Sequence, residues 1–213
     1  MLTIFKSYPA EWEWVALILG GLGFLMAMQP FIQAFIQPKI DIRLDTYSPN
    51  IYVKQFRCYV DNLPLKAKIA RVLRLRRPSA ISVSAAISIK EKGSGKVLIE
   101  NLPLEWHLQQ PGYLPDQIDI HAISGNAYLT FGVKYNGVES IEICDAAFTS
   151  GQELEALNTA LKEGDVSKAF RHPLGKGTYQ FKIALFGQGV LCAITRDLHN
   201  DGPNLNDTWV SSR

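Results

Sequence analysis

No charged residue occurs between Glu13 and Lys39. The 22 residues from Val15 to Ile36 would make a helix about 33 Å long, enough to cross the hydrocarbon core of a bilayer with slight tilt. Trp12 and Trp14 stand at its start, where indole rings settle at the headgroup level. A cleaved leader should open with basic residues, but Glu11 and Glu13 precede this run, and Leu25-Met26-Ala27 is a poor cleavage site. The segment is therefore expected to be a retained anchor. The expected organisation is an N-terminal segment and transmembrane helix over 1–38, the helix itself about 14–37, followed by one domain over 39–213.

Orientation follows from flanking cations. Lys6 lies before the run, whereas Lys39, Arg43, Lys54 and Arg57 follow it within about 20 residues, the range over which the bias is counted. The expected location is the cell (inner) membrane, single-pass, with the domain in the cytoplasm; a periplasmic or extracellular domain is the alternative.

Two stripes on this helix differ from plain lipid-facing surface. Ala16, Gly20, Gly23, Ala27 and Ala34 fall on one face, and small residues in a stripe let a second helix approach closely. Gln29 and Gln33, continued by Gln37, form another, and amides in hydrocarbon seek partners. Pro30 is expected to kink the helix. Other transmembrane helices, in a hetero-complex or a homo-oligomer, are the expected partners alongside the bilayer.

Beyond the anchor, residues alternate with the period of strands. Ile40, Ile42 and Leu44 alternate with Asp41, Arg43 and Asp45, and Ser48-Pro49-Asn50 is expected to break that strand. Phe56, Cys58 and Val60 begin a second strand. Ile81 to Lys90 alternates most regularly of all, turning at Lys92–Lys96 into Val97-Leu98-Ile99. Leu129, Phe131, Val133 and Tyr135 predict another strand, with Asn136-Gly137 as a hairpin signal. Phe181, Ile183 and Leu185, then Val190, Cys192 and Ile194, predict a late pair, followed by a polar tail after Asp197 with Trp209 as a docking residue. Ser150 with Glu153 predicts a capped helix ending at Gly164. Seven to nine turn-rich antiparallel strands indicate a mainly β chain: a transmembrane helix followed by a β-sandwich with one or two short helical insertions.

Leu65 to Leu75 changes to helical period. Lys66, Lys68, Arg71, Arg74, Arg76 and Arg77 crowd it, with no acid between Asp61 and Glu91. A basic amphipathic helix on a membrane-tethered domain would lie against anionic lipid headgroups, each cation giving about 1 kcal/mol. Nucleic acid is not expected, because interleaved aromatics are absent and the net charge is only +2.

The run Arg57-Cys58-Tyr59-Val60-Asp61-Asn62, the later Leu102-Pro103-Leu104-Glu105-Trp106 and the strand start Gly177-Thr178-Tyr179 resemble uncharacterised prokaryotic membrane-anchored proteins with an immunoglobulin-like β-sandwich domain. Gly-Thr-Tyr looks like the tyrosine corner of Greek-key sandwiches, and Trp106 like a core plug. The resemblance implies a fold and an anchor, and no activity or functional residue.

The chemistry-bearing residues form no catalytic or metal pattern. His107, His121, His172 and His199 are scattered; Asp116, Asp119 and His121 could converge, and Asp197, His199, Asp201 and Gly202 loosely echo a calcium loop without its closing Glu. Cys58, Cys144 and Cys192 lie in apolar or alternating runs, with a Cys58–Cys192 bridge as the alternative to three buried thiols. Catalytic, cofactor-binding and metal-binding residues are all expected to be none. The expected function is a non-enzymatic, structural or interaction subunit of a membrane protein complex; a membrane-anchored ligand- or anionic-lipid-binding module is the alternative.

Overall fold

The computed structural model describes residues 10–65, 77–108, 115–121, 127–143, 159, 162–163 and 172–211. The chain divides into two compact units, Met1–Gln37 and Pro38–Arg213. The first contains one helix, α1, over Ala10–Ile36. Among the described residues no helix is long and apolar enough to cross a membrane. The side chains of Leu25 and of residues 30–36 fall outside the description, so the uncharged run of the sequence is described only in part.

The second unit is a two-layer antiparallel β structure. Its strands are β1 (Ile40–Asn50), β2 (Val53–Asn62), β3 (Ala80–Glu91), β4 (Val97–Leu104), β5 (Trp106–His107), β6 (Ile118–Ile120), β7 (Tyr128–Tyr135), β8 (Ile141–Glu142), β9 (Pro173–Leu174), β10 (Gly177–Gln188), β11 (Val190–Asn200) and β12 (Thr208–Val210). One sheet runs β1-β2-β7-β8-β9, with β5 also on β7; the other runs β12-β11-β10-β3-β4, with β6 also on β3. The expected alternation at Ile40–Leu44, Phe56–Val60 and Phe181–Leu185 is realised in β1, β2 and β10, and that of Ile81–Lys90 is realised in β3 from Val83 onward; Ile81 is exposed and Ala80 buried, because the register shifts between Ala80 and Val83. The apolar face of each sheet covers the other, as a half-buried strand requires. Phe56, Phe131 and Phe181 join the layers, with Phe131 centroids 5.8 Å from Phe56 and 4.8 Å from Phe181.

Two residues singled out in the sequence make specific bonds. Trp106 is fully buried and its Nε1 donates to the Val83 carbonyl at 2.8 Å, tying β5 of one sheet to β3 of the other. The Tyr179 hydroxyl donates back to the Gly175 carbonyl at 2.9 Å, the bond a tyrosine corner makes.

Several expectations are corrected. Ser48-Pro49-Asn50 does not end β1, which continues to Asn50 and turns at Ile51-Tyr52. Proline is tolerated there because β1 is an edge strand and the register shifts between Tyr47 and Asn50. The Asn136-Gly137 loop is longer than a two-residue turn: the arms meet at Lys134 and Ile141, and Gly137 takes φ +82°. The polar tail is a sheet edge. β11 continues through Asn200, β12 pairs with it, and Trp209 stacks on His199 at 4.9 Å. The capped helix from Ser150 and the helix at Leu65–Leu75 fall almost wholly outside the described residues.

The largest departure lies in β7. Opposite Phe56 and Arg57, β7 contributes Gly132 and Thr130 and skips Phe131. This extra residue is a bulge, and a bulge changes which face the following residues present. Gly132 meets the core, where an added Cβ would lie 3.3 Å from Ile143 Cδ1 and 3.4 Å from Phe56 Cδ2. Lys134 then shares that inward side. Its Nζ, fully buried, donates to Asn200 Oδ1 at 3.0 Å and to the Gly202 carbonyl at 2.7 Å. Asn200 Nδ2 donates onward to the carbonyls of Glu139, Leu174 and Gly175.

Burial pulls the Lys134 ammonium down from its usual range to about 8, against the opposing pull of Asp207 and Glu139. The charged form therefore costs stability below about pH 8, and that cost fades as pH rises toward the unfolded value. Relative to Lys134→Met, the wild-type protein should gain on the order of 3 kcal/mol between pH 7.5 and 10.5. Parallel thermal melts of the two proteins across that range check it; equal pH slopes would refute it.

Candidate functional site

On α1 the large side chains Trp14, Leu17, Leu19, Phe24 and Met26 are each 63–70% exposed. At about 100° per residue these positions, with Ile18 and Leu22, cover most of the helical circumference. The expected small stripe spans about 60° within the arc of about 140° that these large side chains leave. Ala16, Gly20, Gly23 and Ala27 are exposed, and a Cβ added at Gly20 or Gly23 would meet nothing within 4 Å. Gln29 is exposed as well. The side chains of Ala34 and Gln33 lie outside the described residues. Of the basic segment, Lys66, Lys68, Arg71, Arg74 and Arg76 also lie outside them; Arg77 is half-buried.

A second concentration of chemistry lies on the outer face of the β1-β2-β7-β5 sheet. The Arg57 guanidinium is clasped between rings, with Cζ 3.7 Å from the Tyr47 centroid and 4.4 Å from that of Tyr128. Its Nε and Nη2 donate to Gln55 Oε1 at 3.2 and 2.7 Å. Tyr128 stacks on His107 at 5.0 Å and tilts against Tyr59 at 5.4 Å. Desolvation, then the Arg57 charge, holds the His107 imidazole down at about 4, so it is neutral at physiological pH and no proton shuttle there. His107 Nε2 and Thr130 Oγ1 are buried without a hydrogen-bond partner. This stack went unseen in the sequence because its members come from four strands; Arg57 and Tyr59 alone belonged to a quoted run.

The loosely metal-like sets do not gather. Asp119 Oδ1 accepts from the Ser82 amide, and His121 Nδ1 bonds Ser79 Oγ at 2.6 Å. Asp197 pairs with Lys92 across 2.5 Å while His199 stacks on Trp209. Among the described residues no three His, Cys, Asp or Glu side chains could hold one ion together. Cys58 and Cys192 are free thiols, one on each sheet; Cys144 is outside the description.

The third place is the open flank of the sandwich. Here β1 and β11 face each other around a cavity of about 420 Å³.

The chain matches no family model, no curated protein and no solved structure.

Burial raises the Cys58 thiol to about 12, helped by Cys192; burial alone raises Cys192, which is only half-buried. Thiolate is the reacting species, so an alkylating reagent at pH 8 should modify Cys192 well before Cys58. Peptide mass spectrometry over a time course reads the order. Faster labelling of Cys58 would contradict this placement of β2.

Proposed function

We propose that the chain is a non-enzymatic, single-pass membrane protein in which α1 is the anchor and the second unit is an immunoglobulin-like β-sandwich presented at the membrane surface. One observation carries the reading: a helix with large apolar side chains exposed around most of its circumference, in a stretch free of charge. Exposed apolar surface of this extent loses about 25 cal/mol per Å² in water, and a bilayer removes that loss. The tyrosine-corner bond and the buried tryptophan support the immunoglobulin-like comparison. The excess of Lys and Arg after the helix supports a cytoplasmic domain at the inner membrane.

The small stripe gives the anchor its second role. In lipid, helices associate by close packing, and among the described residues nothing lies within 4 Å of a Cβ added at Gly20 or Gly23. A neighbouring helix, from a second copy or from another membrane protein, fits that stripe. The protein then acts as a structural or interaction subunit of a membrane complex.

Full-length protein should stay in the membrane pellet through alkaline carbonate extraction. Gly20→Ile with Gly23→Ile should stay there too, yet lose its partner or self-association in mild detergent. A Cβ added at either position meets none of the described residues within 4 Å, so changed assembly reports the partner contact. Release by carbonate would overturn the anchor; unaltered assembly would overturn the helix contact.

A further inference from the structure

The two sheets do not close equally. On the open flank, Ile42 and Leu44 of β1, Ile194 of β11 and Val210 of β12 are only partly buried around the edge of the core. Together with Phe131 and Trp209 they line the cavity of about 420 Å³. That size lies within the ordinary range for small-ligand sites, and apolar side chains share the lining about equally with polar ones.

Its charge is unusual. Lys54 shares the inward alternation of Phe56, Cys58 and Val60, and Arg196 shares that of Ile194 and Leu198. Both line the cavity. Neither forms an ion pair with a carboxylate among the described residues. Lys54 Nζ donates to the carbonyls of Leu205 and Thr208 at 3.0 and 2.7 Å, leaving one N–H. Arg196 Nη1 donates to the Thr195 carbonyl, leaving four of the five guanidinium donors. The lining acid, Asp45, belongs to the outward alternation of β1 and is exposed, its Oδ1 accepting the Thr46 amide. Both cations are only partly buried, so they remain open to an incoming anion, and a forked guanidinium fits a carboxylate in two parallel bonds.

We infer that this flank binds a medium-chain aliphatic carboxylate, its chain against Ile42, Leu44, Phe131, Ile194 and Val210 and its head on Arg196 with Lys54 beside it. The apolar part of the lining suits a hydrocarbon tail, and the two inward cations suit a single compact anion at its end. The site stands on the sandwich alone and is independent of what α1 does.

The test uses the full chain in nanodiscs of zwitterionic lipid and a diazirine-bearing decanoate as photolabel. Adducts should map to β1, β11 or β12 by peptide mass spectrometry. Excess decanoate should suppress them, whereas decanol, which lacks the charge, and acetate, which lacks the tail, should each compete at least about tenfold less well. Arg196→Gln should lower the labelling of the flank by about tenfold, and Lys182→Gln, an exposed cation on the outer face of β10, should not change it. Ile194→Trp should also abolish labelling, by filling the cavity, with the thermal midpoint of each variant reporting its folding. The proposal fails if adducts appear only on α1, which would be bilayer partitioning. It fails equally if decanol competes as well as decanoate, or if folded Arg196→Gln labels like wild type.

Discussion

The sandwich depends on one dry seam, in which Phe131 bridges Phe56 on its own sheet to Phe181 on the facing one. Each sheet alone would leave an apolar face in water, so neither layer is stable without this contact. The pairings that build the seam are distant in sequence: β2 lies beside β7, and β3 beside β10. The bulge that places Phe131 there also turns Lys134 inward. Packing of an aromatic residue and burial of a cation thus have a common origin in a single extra residue.

Inward-facing polar groups then set how the layers close. At one end, Lys134 and Asn200 satisfy four carbonyls in three segments, and Lys54 holds Leu205 and Thr208. The segment after β11 contributes little apolar area, and these bonds are what fix it as the sheet edge carrying β12. On the flank between β1 and β11 closure is incomplete, and the inward positions include Lys54 and Arg196. The same side chain, Lys54, therefore helps hold the C-terminal edge and lines the open cavity.

Much of the strand pattern was legible because apolar alternation survives in the sequence wherever one face is buried. Ile40–Leu44, Phe56–Val60 and Phe181–Leu185 show it, and Tyr179 and Trp106 stood out by residue type. Lys134 was not legible. It follows Val133 in an alternation that assigns it to the outside, and only the cross-strand register reveals the bulge. Lys54 and Arg196 could have been found, since each occupies an inward position of a readable alternation; a charge at such a position is the signal. The Tyr47–Arg57–Tyr128–His107 stack has no such signal, because it is assembled from four strands. The expected basic segment and the capped helix lie almost entirely outside the described residues.

The central claim is that α1 lies in hydrocarbon with its apolar circumference facing lipid or another helix. Nitroxide labels at Ile18, Leu22 and Phe24 of the full chain in bilayers measure this directly, by their relative accessibility to molecular oxygen, which concentrates in lipid, and to a polar nickel chelate, which stays in water. High oxygen and low chelate accessibility at all three positions is the predicted result. Chelate accessibility at any of them equal to that of a label at exposed Lys182 would contradict it.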